Sequence, residues 1–265
     1  MKMLKRTTSL VLVLALSLCV FASCDFILGH DAAKLVAGAD EALKTAEYTV
    51  NATVLFNSEN PDMKAAISAL DGTSMTFAKK GHSSRSSVSM DLDGTLIEKE
   101  YLVTAGILYY THTETKGESV AAVKEKVVLN ADEKTAVAED VGMSAPLSYS
   151  DFDEVEVQSS SNVNLITCKA IKSDAASAIA ESVKSSLGIE GAKVSVSEAE
   201  LQIRLVDGKY NGEYLHISYV VELDGVSYDL DMKLSREYDV TTPVEITAPS
   251  DAESYVNTTY SELSK

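Results

Sequence analysis

Apolar and polar residues alternate most regularly in the last third of the chain. Leu215, Ile217, Tyr219, Val221 and Leu223 share one phase, and Val226, Tyr228, Leu230, Met232 and Leu234 share another after Asp224-Gly225. Period-two alternation marks strands with one buried face, and Asp-Gly is a strong two-residue hairpin signal. The spacing therefore predicts that Leu223 faces Val226, Val221 faces Tyr228 and Tyr219 faces Leu230. A one-residue slip would turn one apolar set to the wrong side, so turn and pattern support each other. Ala199, Leu201, Ile203 and Leu205 form the strand before. Val194 and Val196 are out of phase with them, which places a bulge near Ser197-Glu198. Asp207-Gly208 and Asn211-Gly212 lie too close for two tight turns, so a longer loop is expected across them.

Elsewhere the period switches between helix and strand. Leu35, Ala39, Ala42, Leu43 and Ala46 form a stripe that predicts a helix over Asp31–Ala46. Tyr48, Val50, Ala52, Val54 and Phe56 then alternate as a strand. A second helix over Pro61–Leu70 has Pro61 at a favourable early position and stops at Asp71-Gly72. From Thr73 to Thr113 strands are punctuated at Lys80-Gly81 and Asp93-Gly94, with a hairpin over Tyr101–Thr111 turning at Ala105-Gly106. Val120–Leu129 reads as strand, Asp132–Asp140 as helix or loop, and Ala145-Pro146 as a break. Val155–Lys172 is strand-like, and Ser173 caps a helix to Leu187 whose stripe is Ala176, Ile179, Val183 and Leu187, with Gly188 as its stop. Thr242–Pro249 reads as a short final strand and 250–265 as a polar tail. Nothing repeats with a solenoid period, and no Pro- or Gly/Ser-rich linker divides the chain.

The first residues have a different character. Lys2, Lys5 and Arg6 precede the apolar run Leu10–Phe21, which is followed by Ala22-Ser23-Cys24. This is the order of a secretory signal, and the run is shorter than the roughly 18–20 apolar residues of a membrane span. The formal charge is −17. The three basic residues and absence of acids before Cys24 leave the remainder at −20. Such a surface repels phosphate backbones and anionic headgroups, which excludes nucleic acid as a partner and leaves membrane attachment to a lipid. The three cysteines are Cys19, Cys24 and Cys168. Cys168 lies in a strand-like run with no paired histidine motif and is expected to act as a small buried hydrophobe.

Motifs of chemistry are sparse. The chain has no His-Glu-x-x-His, Gly-x-Ser-x-Gly, Walker or Ser-x-x-Lys pattern. His30, His82, His112 and His216 stand too far apart in sequence for paired ligand spacing, so no metal site or cofactor is expected. Asp91-Leu-Asp-Gly94 and Asp229-Leu-Asp231 resemble fragments of calcium loops but lack the distal glutamate, and fit a strand and its turn better. Tyr210, Tyr214, Tyr219, Tyr228 and Tyr238 fit cross-strand packing, or the lining of an apolar groove.

Phe21-Ala22-Ser23-Cys24 resembles a bacterial lipobox, departing at Phe21 where leucine is usual. That resemblance implies a diacylglyceryl group on Cys24 after cleavage before it; ordinary signal cleavage after Ala22 or Ser23 is the alternative. The order of elements resembles the LolA/LppX-like lipoprotein superfamily. The resemblance rests on the lipobox, the helix running into a strand over Asp31–Phe56, and the Gly-Tyr-Tyr hairpin over Tyr101–Thr111. Long antiparallel strands and the closing stretch Tyr238–Pro249 complete it. It implies an α+β fold in which a strongly curved antiparallel sheet, a half-barrel, carries several helices on its concave side. The organisation expected is a signal peptide over 1–23, a lipidated tether over 24–30, one domain over 31–249 and the tail over 250–265. The function implied is non-enzymatic: an exported protein, anchored to the outer face of a bacterial membrane, that binds a lipid or acyl chain between sheet and helices. Leu215, Ile217, Tyr219, Val221, Tyr228, Leu230 and Met232 would line the site. The rival expectation is a structural or interaction module with a filled core, using its acidic surface to meet an envelope protein. A hydrolase or transferase finds no motif.

Overall fold

The computed structural model describes residues 30–68, 70–134, 137, 146–187, 191–223 and 225–263. Helix α1 (His30–Thr45) leads into β1 (Tyr48–Asn57), and α2 (Pro61–Ile67) follows. Next come β2 (Thr73–Lys80), β3 (Ser83–Leu92), β4 (Thr95–Thr104), β5 (Ile107–Lys116) and β6 (Ser119–Val128). Strands β7 (Phe152–Ser160) and β8 (Val163–Ile171) precede α3 (Ser173–Leu187). After α3 come β9 (Lys193–Val206), β10 (Lys209–Leu223), β11 (Val226–Asp239) and the short β12 (Val256–Asn257).

These strands form one open sheet in the order β12-β6-β5-β4-β3-β2-β1-β11-β10-β9-β8-β7. Two meanders, β1–β6 and β7–β11, are joined where β1 pairs antiparallel with β11, Val50 opposite Tyr238 and Val54 opposite Leu234. The only parallel pairing among the described residues is β12 on β6. The chain is thus an α+β protein built on a large antiparallel sheet.

The predicted register of the last hairpin is the observed one: Leu223 pairs Val226, Val221 pairs Tyr228 and Tyr219 pairs Leu230. Asp224 itself lies outside the described residues. Ser218 pairs Glu198 whereas Tyr219 pairs Val196, so Ser197 is the extra residue of the expected bulge. The long loop expected after Leu205 is not there. Val206 pairs Lys209 across a tight Asp207-Gly208 turn, with φ of 51° and 73°. Asn211 is instead a second bulge, because Tyr210 pairs Leu205 and Gly212 pairs Arg204. The strand-like run Val155–Lys172 is likewise two strands, hinged at Ser161-Asn162, where Ser160 pairs Val163.

Residues paired across an antiparallel ladder share a face of the sheet. The register therefore places Val50, Phe77, Ser86, Tyr101 and Tyr110 on one face, together with Ala52, Met75, Val88, Lys99 and His112. The same face carries the main core. Ala32, Val36 and Ala39 of α1, Ile67 of α2 and Ile179 of α3 pack there with Leu201, Leu215, Ile217, Met232 and Leu234. Helix α1 lies against β10 and β7, and α3 against β9. Ala39 is buried as the stripe predicted, but α1 also inserts Ala32 and Val36, one helical turn apart. Asn60 caps α2, its Oδ1 accepting from the Met63 N–H at 3.2 Å, with Pro61 the first helical residue. Ser173 is the first residue of α3 rather than its cap: the Lys172 carbonyl accepts the Ala176 N–H. Gly188, its expected stop, lies outside the described residues.

The strand expected over Thr242–Pro249 is not formed. Asp239 Oδ1 accepts from the backbone N–H groups of Thr241 and Thr242 and turns the chain out of the ladder. Pro243 then has no N–H with which to rejoin it. The segment beyond crosses the opposite face of β4–β6, where Tyr255 packs edge-on against Tyr109 at 5.3 Å and buries Leu102 with it. Lys80 and Lys126 hold it by donating to the carbonyls of Val244 and Ala252, each at 2.8 Å. It then passes the β6 edge as β12, and Leu263 joins Tyr110, Val127 and Leu129 on the first face. The C-terminal segment thus clasps the edge strand from both sides.

Candidate functional site

The residues expected to line a ligand site fall on the face that carries the helices. Leu215, Ile217, Tyr219, Val221, Leu230 and Met232 are all buried, and all but Val221 belong to the main core cluster. Tyr228, near the hairpin end, is half-buried. Cys24, the expected lipid-attachment residue, lies outside the described residues. Cys168 is fully buried in the same core, and burial pushes its thiol up to about 12, as suits a packing residue rather than a nucleophile.

Sequence reasoning missed a polar group on the same face, further along the sheet. Ile97, Lys99 and Tyr101 of β4 point the same way, so Lys99 is carried into an apolar setting with only 6 % of its surface exposed. Its Nζ sits 6.0 Å from the centre of the Tyr110 ring. Burial pushes its pKa down to about 8, and no carboxylate among the described residues opposes that shift. Tyr110 is wholly buried, and its hydroxyl has no hydrogen-bond partner. Burial raises its pKa, and Tyr101 and Glu125 add to the shift.

His112, directly opposite Lys99 in the ladder, completes the group. Its Nε2 is buried and makes no hydrogen bond; Glu114 lies 3.4 Å away, within ion-pair range but poorly aligned for one. Burial first and Lys99 second lower the His112 pKa, against the pull of Glu114, so at neutral pH the ring is uncharged. Tyr110 Oη and His112 Nε2 are therefore two buried polar atoms without hydrogen-bond partners among the described residues, and the Lys99 ammonium lies beside them on the adjacent strand and the same face. Such groups are rare in folded proteins, because each forfeits its hydration without replacement.

A second buried polar group has the opposite character. Glu213 Oε2 accepts from Arg236 Nη1 at 3.1 Å and from the Tyr238 hydroxyl at 2.7 Å. Tyr238 stacks on Tyr210 at 5.1 Å, and Tyr210 donates to Asp40 of α1 at 2.8 Å. Desolvation works against the Arg236 charge, but Glu213 beside it holds its pKa above the ordinary value. This network ties α1 to the sheet, which is a structural task.

On the opposite face, Ser218, His216 and Asp231 are the residue types of a hydrolytic triad. Ser218 Oγ donates to Asp231 Oδ1 at 2.5 Å, and His216 Nε2 lies 3.2 Å from the same oxygen and 3.4 Å from Ser218 Oγ. A working triad needs the acid on one ring nitrogen and the serine on the other. Here both meet Nε2, and the serine proton is directed at the carboxylate, so the arrangement does not activate Ser218. An open groove of about 460 Å³ lies nearby on that face, lined by Leu165, Gln202, Arg204, Tyr214, Ser235 and Glu237 among others. Among the described residues, no three His, Cys, Asp or Glu side chains converge as metal ligands would.

No protein-family profile matches the chain, and no curated protein matches it. Among solved structures, a CurJ dehydratase inactive mutant in complex with a compound aligns over 79 % of this chain and 81 % of its own, at 9 % identity and a TM-score of 0.12. MucB in complex with MucA(peri) aligns over 79 % and 94 %, at 8 % identity and a TM-score of 0.15. Scores this low carry no argument about fold or function.

Proposed function

We propose that this chain is a non-enzymatic, lipid-anchored envelope protein of the LolA/LppX-like kind that holds an amphiphile against the helix-bearing face of its sheet. In this reading the sheet is a half-barrel with its helices on the concave side, and Cys24 carries the anchor. The observation that carries it is the uneven make-up of one face. The β8–β11 part is packed under α1 and α3 and its buried Arg236 and Tyr238 are met by Glu213, whereas the β4–β5 part holds the Tyr110 hydroxyl and His112 Nε2 without hydrogen-bond partners beside Lys99. A core with no ligand to meet would not keep such atoms beside a lysine, since isosteric apolar residues there would be more stable. The ligand therefore belongs beside β4 and β5, with the residues from Leu215 to Met232 forming the supporting wall.

A second reading, a protein-contact module with a filled core, is favoured by the near-complete burial of Leu215, Ile217 and Met232 beneath helices. Native mass spectrometry of the full chain carrying Cys24→Ala, made in a lipid-containing host, separates the two. The expected spectrum has a bound mass of fatty-acid or phospholipid size that is lost on organic extraction; a clean ligand-free mass supports the contact module. The anchor is tested separately with radiolabelled palmitate, which is expected in the wild type and not in Cys24→Ala. Equal labelling, or none in either, overturns it.

A further inference from the structure

We infer that Lys99, Tyr110 and His112 form a subsite for the anionic head of the ligand, a carboxylate or phosphate joined to an apolar body. The inference rests on the reading of this face as a ligand site and says which end of the ligand is recognised there. The three groups suit one oxyanion. Lys99 brings a positive charge and three N–H donors, Tyr110 an O–H and His112 an N–H on Nε2 in the tautomer that donates there. Lys99 and His112 are ladder partners, so their Cβ atoms lie about 5 Å apart, and Tyr110 is two residues along the same strand, roughly 7 Å away. Long side chains converge easily over such spans.

The argument for an anion is one of charge. A neutral hydrogen-bonding ligand would satisfy Tyr110 and His112 yet leave the ammonium of Lys99, a residue only 6 % exposed, without a counter-charge. Two carboxylates lie on the β5–β6 part of this face: Glu114, whose Oε1 is 3.4 Å from His112 Nε2, and Glu125, opposite Tyr110. Glu114 is 55 % exposed and Glu125 is half-buried beneath β12, so water screens both better than it screens Lys99. The argument for an apolar body is one of supply. A chain of net charge −17 does not concentrate free anions from solution, so the head must be brought in by a part that binds through burial.

The test compares cis-parinaric acid with its methyl ester, by fluorescence titration of the full chain carrying Cys24→Ala at pH 7, with inorganic phosphate as a chain-free anion. The acid is expected to bind at least ten-fold tighter than the ester. Lys99→Met is expected to bring the acid down to the level of the ester while leaving the ester unchanged. Tyr110→Phe, which removes only a hydroxyl, is expected to weaken the acid several-fold and provides a second, minimally disturbing variant; circular dichroism checks that both fold. If acid and ester bind equally, or the preference survives Lys99→Met, the head-group subsite is overturned and the amphiphile reading stands. If phosphate binds in a Lys99-dependent way and neither lipid does, the anion subsite stands and the amphiphile reading falls. If none of the three binds, both fall.

Discussion

At the scale of single residues, Lys99 makes the account most exposed. Its folded-state pKa lies near 8, below the ordinary lysine value of 10.5, so between those limits the unfolded chain binds more protons than the folded one. Stability then rises with pH across that window, and the penalty of the buried charge is fully present below pH 8. Lys99→Met is expected to stabilise the ligand-free protein at pH 7 by about 1–3 kcal/mol, roughly 3–8 °C in Tm. That gain should shrink as pH rises from 8 toward 10.5, and thermal melts of both proteins across this range read it. A variant less stable than wild type at pH 7 would mean that the ammonium is paired. Arg236 is the converse case. Arg236→Ala strands the Glu213 carboxylate, whose side chain is only 10 % exposed, and is expected to cost about 3–5 kcal/mol in denaturant unfolding. Neither residue stood out in the sequence. In Thr95–Thr104, Leu96 and Leu102 fall in one phase and Ile97 and Val103 in the other, so no face reads as the buried one. The cause is visible in the fold: the C-terminal segment covers Leu102 from one side, while the main core reaches Ile97 from the other.

At the scale of elements, local chemistry was readable and long-range contact was not. The turns at Asp93-Gly94 and Ala105-Gly106, the register that pairs Leu223 with Val226, the bulge at Ser197 and the extent of α3 follow from residues within a few positions of each other. The choice between Asp207-Gly208 and Asn211-Gly212 did not, because a bulge can absorb one of two turn signals without disturbing alternation further along. The clasp formed by the tail was also hidden, since Tyr255 and Leu263 are isolated apolar residues in a polar stretch. Their partners lie on strands more than a hundred residues earlier. The clasp has a clear task. Strand β12 covers β6 only at Glu125 and Lys126, while Val120 and Val123 are exposed on that same strand. An open strand of this composition invites pairing with other chains. Deleting the residues after Pro249 removes Tyr255, β12 and Leu263, and is expected to lower stability by about 3–5 kcal/mol, from the lost burial of two large side chains. It should also give concentration-dependent association in sedimentation. A monomeric, equally stable truncation would mean that the clasp does not protect the edge.

At the scale of the whole molecule, two meanders meet at one long seam. The β1–β11 pairing joins the first strand of the chain to the last long one, so the sheet is completed only after both halves have been made. The seam also divides the helix-bearing face into unlike territories. On the β8–β11 side the helices cover a wall whose buried polar residues are paired, as Arg236 is with Glu213; on the β2–β6 side the same face carries Lys99, with the Tyr110 hydroxyl and His112 Nε2 unpaired among the described residues. The alternation around Leu215–Leu234 made the first territory legible and pointed to ligand residues there, where the side chains are already packed. The second was obscured by strands buried on both faces. Crystallography of the full chain carrying Cys24→Ala, soaked or grown with a fatty acid brominated along its chain, tests the division directly. The expected map places the carboxylate within hydrogen-bond distance of Lys99 Nζ, with the bromine signal on the helix-bearing face. Bromine only on the opposite face, or none at saturating ligand, would contradict it.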